Sequence, residues 1–187
     1  VSLRKQFCLF ALLSATAAGC GRQSQACGCS DQSAVDPALL SFLSRARSAH
    51  HIADGLERDH PDAALATLRD VVSGPKPGLP GQLAPEVREV LADTAARVAD
   101  LESQLDQFAG AINTLHTALT WVPDTSYFRG HLFEIEGLVE ERHSKALERQ
   151  GELTAAASAR SHAMAAFEQS MKIQAEVIRS TSADAGK

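Results

Sequence analysis

The chain of 187 residues carries 18 Lys and Arg against 23 Asp and Glu, a net charge of -5, and only 5% of its residues are aromatic. This balance speaks against nucleic acid and anionic lipid surfaces as partners, because both require clustered cations. Sparse aromatics and the absence of β-branched runs favour helix over strand, and the length suits one domain with a modest core.

Arg4 and Lys5 give the chain a basic start, residues 7–13 an apolar core, and residues 14–19 a run of small side chains that stops at Cys20. That is the layout of a secretory signal. Residues 7–19 are too few to cross a bilayer as a helix, which takes ~20. Ala15-Thr16-Ala17 fits ordinary signal cleavage, which releases a soluble protein beginning near Ala18. The ending Ala17-Ala18-Gly19-Cys20 also resembles the lipobox of bacterial lipoproteins, with Ala17 where Leu, Val or Ile is usual. The resemblance implies a signal peptide over residues 1–19 and a first mature residue, Cys20, acylated with palmitate and further chains. One acyl chain holds a protein at a membrane marginally, and two or more hold it stably. Gly21 stands where an Asp would retain such a lipoprotein at the inner membrane. The expected address is therefore the outer membrane, lipid-anchored and facing the periplasm.

Residues 20–35 are rich in Gly, Ser, Gln and Cys without an apolar period, which predicts a lipidated, flexible tether. Cys27-Gly28-Cys29 falls within it, in a compartment that oxidises thiols. A disulfide closed over a single residue is strained, and no His lies within 20 residues of the pair. The pair reads as incidental tail thiols rather than a redox or copper site.

The folded part is predicted over residues 36–180, with 181–187 frayed. Asp36-Pro37 is a helix start, an N-cap acid before a proline at the first helical position. Leu39, Leu43, Ala46, Ala49, Ala53 and Leu56 then recur at threes and fours as one buried stripe, to about Arg58. Asp59-His60-Pro61 breaks the chain before a second helix with Ala64, Leu65, Leu68, Val71 and Val72 inward. Four prolines and three glycines make residues 73–85 a loop. A third helix to about Gln104 buries Val87, Leu91, Thr94, Val98, Leu101 and Leu105, and a fourth Phe108, Ala111, Ile112, Leu115, Ala118 and Leu119. Beyond Val122-Pro123-Asp124, a fifth from about Ser126 carries Phe128, Leu132, Ile135, Val139, Ala146 and Leu147. The sixth, after Gly151, presents Leu153, Ala156, Ala163, Phe167, Met171 and Ile178.

Three turns line up, at Asp59, Asp106 and Gly151, and small residues follow them at Ala64, Ala111 and Ala156, spaced by 47 and then 45 residues. The pattern Ala64-Leu65, Leu68, Val71 returns as Ala111-Ile112, Leu115, Ala118. Here the chain resembles tetratricopeptide-repeat proteins, whose second helix opens with an alanine that lets paired helices approach closely. It departs from them in lacking the signature Trp and Tyr, in placing Arg160 at a large apolar position, and in a repeat longer than 34 residues. The expected fold is all-α, an antiparallel helical hairpin array of about six helices, with a plain six-helix bundle as its rival. By resemblance, the concave face of such an array falls on Asp93, Ala96, Asp100 and Gln104 of the third helix and on Glu141, Lys145, Glu148 and Arg149 of the fifth.

Catalytic signals are missing. No nucleophile elbow and no glycine-rich phosphate loop occurs, so neither an enzyme nor a cofactor is expected. Glu-x-x-His occurs at Glu57–His60 and Glu140–His143, and with Glu102 and Glu136 as extra carboxylates it sketches a ferritin-like di-metal site. The first copy abuts Pro61, however, and His143 falls beside an apolar stripe as a packed side chain would. His50-His51 point about 100° apart on a helix, and His116, His131 and His162 read as surface residues. Trp121 and Tyr127 bracket a turn, as rings covering the end of a hairpin rather than a hot spot. The sequence thus predicts a membrane-tethered protein-binding adaptor, held to the membrane through Cys20 and meeting another envelope protein or peptide. A pilotin-like or outer-membrane-assembly chaperone lipoprotein is the nearest alternative.

Overall fold

The computed structural model describes residues 36–78 and 83–184. The signal peptide, Cys20, the tether with Cys27 and Cys29, and the last three residues lie outside the described residues. The described part is all-α, with six helices: α1 Pro37–Leu56, α2 Pro61–Ser73, α3 Pro85–Gln104, α4 Phe108–Leu119, α5 Tyr127–Gln150 and α6 Leu153–Asp184.

The starts follow from local chemistry. Asp36 accepts a hydrogen bond at 2.8 Å from the Ala38 N–H, and Ser126 accepts one at 3.1 Å from Arg129. Proline supplies the first residue of α1, α2 and α3, where its missing N–H costs nothing. Two ends share one construction. Asp106 after α3 and Gly151 after α5 both adopt positive φ, 58° and 81°. Behind them the N–H groups of Gln107 and Glu152 reach back to the carbonyls of Glu102 and Leu147 at 2.8 and 2.9 Å, closing the last turn as a left-handed C-cap does.

The helices pack in chain order as hairpins, α1 on α2, α3 on α4 and α5 on α6, and each hairpin leans its second helix on the first helix of the next. α1, α3 and α5 also meet side by side. α3 is the hub, buried on two sides with different side chains. Val87, Leu91, Val98 and Leu101 enter a cluster with Phe42, Ala46, Ala53, Leu65 and Leu68 of the first hairpin. Ala92, Ala95, Ala96 and Ala99 enter a second cluster with Ala111, Leu115, Leu132 and Val139. Trp121 packs on both clusters, while Tyr127 is exposed, so only one of the two rings closes a hairpin end.

Among the described residues Glu102 is the one buried acid, at 4% exposure. Its carboxylate accepts from Arg69 of α2 at 2.7 Å and from the Thr114 hydroxyl of α4 at 2.9 Å, so one side chain ties three helices together.

Three expectations need correction. α1 buries Phe42 in place of a line through Leu39 and Leu43, which are only partly covered. α6 continues through residues 181–184 rather than fraying at residue 181. The buried side of α6 is Ala156, Ala159, Ala163, Ala166, Ser170 and Ile173, whereas Leu153, Met171 and Ile178 are exposed. The reason lies on α5, where Gly130, Gly137 and Ser144 recur every seventh residue and are buried. A Cβ on Gly137 would sit 2.5 Å from the Phe167 ring, and the Ser144 hydroxyl donates to the Ala156 carbonyl at 2.9 Å. Small residues on both helices bring the backbones too close for a row of large side chains between them.

That closeness sets up a reversal of sign. Gly137→Ala should destabilise the domain by about 1–2 kcal/mol in chemical denaturation, overpacking exceeding the helix propensity gained. In a Phe167→Ala background the clash is gone, and the same change should stabilise by about 0.5–1 kcal/mol. In the hub, Leu115→Ala should cost about 2–5 kcal/mol, because a fully buried side chain leaves a cavity between α3 and α4.

Candidate binding face

The sides of α1, α3 and α5 that meet one another carry a continuous polar surface. Arg97 of α3 donates to Asp54 of α1 at 2.9 Å and to Glu57 of the same helix. Gln104, two turns further on, donates to Asp100 at 2.9 Å and reaches Glu57 at 3.5 Å. Asp100 in turn accepts from Arg142 of α5 at 2.6 Å, and Arg142 also donates to the Ser103 hydroxyl at 2.7 Å. His50 meets the Thr94 hydroxyl at 3.0 Å. Since that hydroxyl donates to the Val90 carbonyl at 2.7 Å, the imidazole Nε2–H is the donor in the contact.

Burial alone would weaken the charge on Arg97. The hydrogen bond and field of Glu57, joined by those of Asp54, outweigh that effect and hold the guanidinium above its ordinary range. On α5, the hydrogen bond from Lys145 and its charge hold Glu141 below the usual carboxylate range, helped by Arg142.

Three hollows open on this face. One of about 640 Å³ lies among Asp54, Glu57, Asp59 and Gln104 and is acidic. One of about 220 Å³ is lined by His50, Asp93, Ala96, Arg97, Asp100, His131 and Ile135, across all three helices. The third, of about 510 Å³, is lined by Ser103, Gln104, Asp106, Arg142, Lys145 and Arg149 and is basic. The face therefore runs from acidic at α1 to basic at α5, with α3 between. It offers hydrogen bonds and charge, the means of recognising a polar or charged segment.

The face gathers six of the eight residues expected to bind: Asp93, Ala96, Asp100 and Gln104 on α3, and Lys145 and Arg149 on α5. Ala96 is buried and contributes floor only. Glu141 is engaged with Lys145 on its own helix, and Glu148 is paired with Arg160 of α6, off the face. Sequence reading passed over Arg142, which links α5 to Asp100 and Ser103 of α3, although it precedes Lys145 and Arg149 by three and seven residues on one side of α5. It also passed over Asp54 of α1, weighed Glu57 only as a metal ligand, and read His131, which lines the central hollow, as a plain surface residue.

The pieces of a di-metal site do not come together. Glu57 is occupied by Arg97, Glu102 by Arg69 and Thr114, and the His143 ring stacks on Phe108 at 4.7 Å. Among the described residues no group of three or more His, Cys, Asp and Glu side chains is placed to hold a metal ion. None of the described helices is long and apolar enough to cross a membrane. No family model, curated protein or solved structure matches the chain.

Arg97 carries the ion pairs between α1 and α3, and its role is measurable. Arg97→Met should cost about 1–2 kcal/mol by leaving Asp54 and Glu57 without their cation. Most of that loss should vanish in an Asp54→Asn, Glu57→Gln background, a coupling that unfolding curves of the four proteins can read.

Proposed function

We propose that this chain is an exported lipoprotein, anchored by an acylated Cys20 in the outer membrane and facing the periplasm, that works as a binding adaptor for another envelope protein or peptide. The observation that carries the binding part is the charged face shared by α1, α3 and α5, where the side chains are already held by one another before any partner arrives. Fixed donors and acceptors lose little freedom on binding, which favours affinity for a segment of complementary charge. The anchoring part rests on the run of small residues that ends at Cys20. The tetratricopeptide likeness supports the same reading, because first helices of such hairpins line a concave surface.

Labelled palmitate should enter the wild-type protein and not Cys20→Ser. Release of the wild type as an unlipidated species beginning near Ala18 would remove the anchor. For the face, Asp93→Lys combined with Lys145→Glu should leave unfolding within about 0.5 kcal/mol of wild type, since both side chains are exposed. Recovery of the native partner by affinity capture from envelopes should fall, as mismatched charges slow association. Asp62→Lys combined with Asp70→Lys, on exposed positions of α2, should leave recovery unchanged. Equal recovery with all three proteins would remove the face as the binding surface.

A further inference from the structure

α4 and α6 both pack on α5 and not on each other. A trough of about 490 Å³ therefore lies between them with α5 as its floor. Phe133 and Glu140 of that floor fall about half a turn around α5 from His131 and Arg142, so the trough and the charged face lie on opposite sides of the helix. Its lining mixes two kinds of side chain. Ile112, Phe133, Ala165 and Ala166 are apolar, and beside them stand Glu136 and Glu140, one turn apart on α5.

These two carboxylates are largely covered without being neutralised. Their side chains are 18% and 13% exposed. Glu136 meets His116 of α4 at 3.4 Å, and Glu140 meets His143 of α5 at 3.5 Å and His162 of α6 at 3.8 Å, all imidazoles that are cationic only when protonated. Oε2 of Glu136 is fully covered and accepts no hydrogen bond. Glu102 shows how the same fold treats an acid that serves structure, with Arg69 and the Thr114 hydroxyl both donating to it. The fixed cations of the bordering helices are engaged elsewhere. Arg129, over the Phe133 ring, donates to the Leu119 carbonyl and pairs with Asp124, Arg142 serves Asp100, and Arg160 pairs with Glu148. Lys172 lies three residues past Gln169 on α6, and among the described residues no Lys or Arg pairs with Glu136 or Glu140. A covered carboxylate without a cation costs free energy that an incoming cation recovers.

We propose that this trough takes a lysine or arginine side chain from a partner segment lying between α4 and α6, its head on Glu136 and Glu140 and its stem along Ile112, Ala165 and Ala166. Long cationic side chains suit such a lining, because they bury an apolar stem while the head keeps polar company. The last torsion of Glu136 is soft, so a small turn brings its unmatched oxygen toward the head. A bare metal ion suits the trough less well, since the His116 and His162 pairs are separate and no three ligands are placed around one point. The trough is a second site and does not rest on the charged face.

The test follows alanine methyl resonances of the purified full chain in detergent as N-acetyl-lysine methylamide, N-acetyl-arginine methylamide, the neutral N-acetyl-norleucine methylamide or zinc chloride is added. Saturable shifts at Ala165 and Ala166 are expected with the lysine or arginine probe, and norleucine should bind about tenfold more weakly or worse. Glu136→Gln with Glu140→Gln should weaken the cationic probe by about tenfold or more. The unfolding midpoint of that variant should stay or rise, because Gln keeps the shape and removes unmatched charge. A fall in the midpoint would assign the carboxylates to holding the three helices together. That fall, no saturable shift with either cationic probe, equal binding of norleucine, a response to zinc alone, or cationic binding that survives in the double variant would each overturn the proposal.

Discussion

Everything in this molecule depends on α3 being buried on two sides that differ in size. Its Val and Leu side fills space beside the first hairpin, where large side chains give area to bury. Its alanine side receives Leu115 of α4 and Leu132 and Val139 of α5, so there α3 supplies the small side chains and its neighbours the large ones. A helix of uniform leucines could serve one neighbour and would hold the other off. The division also fixes where polar groups go. With two sides committed, Asp93, Arg97, Asp100 and Gln104 share the narrow remaining strip, and they meet α1 and α5 on one surface.

The same trade between side-chain size and helix distance explains the far end. Gly130, Gly137 and Ser144 draw α6 onto α5 with little apolar area between them. Close approach is a source of dispersion contacts and of the Ser144 hydrogen bond, but it leaves the larger residues of α6 with nowhere to go except outward. The bare stripe of α6 is thus a consequence of how α5 is built, whereas α1 buries Phe42 and leaves Leu40 and Ile52 exposed.

Much of the fold was legible because helix starts and periodic stripes are local signals. Asp36-Pro37, Ser126 and the left-handed corners at Asp106 and Gly151 mark helix limits with chemistry that acts within a few residues. Burial was legible where the apolar residues of a helix form one stripe, as in α2 and α4. It failed in α6, where a search for large apolar residues picks the exposed line and overlooks alanines. The heptad of Gly130, Gly137 and Ser144 was in the sequence as a signal, but its meaning depends on a partner helix that only the fold supplies. On the binding face the same limit holds. The α3 residues follow from one helix's spacing, whereas Arg142 and Glu57 matter because other helices carry their partners.

A face held together by its own ion pairs has a particular kind of selectivity. Asp100 and Arg142 are already neutralised by each other, as are Glu57 and Arg97, so a partner cannot draw on their full charge without breaking a bond that the free protein has. The side chains with charge to spare are those outside these pairs. Asp93 is exposed toward the start of α3, beside the central hollow, and Arg149 near the end of α5 engages only a backbone carbonyl of its own helix. Recognition by such a face falls on these charges for approach and on the fixed centre for shape, so affinity should vary with where a segment places its charges more than with how many it carries.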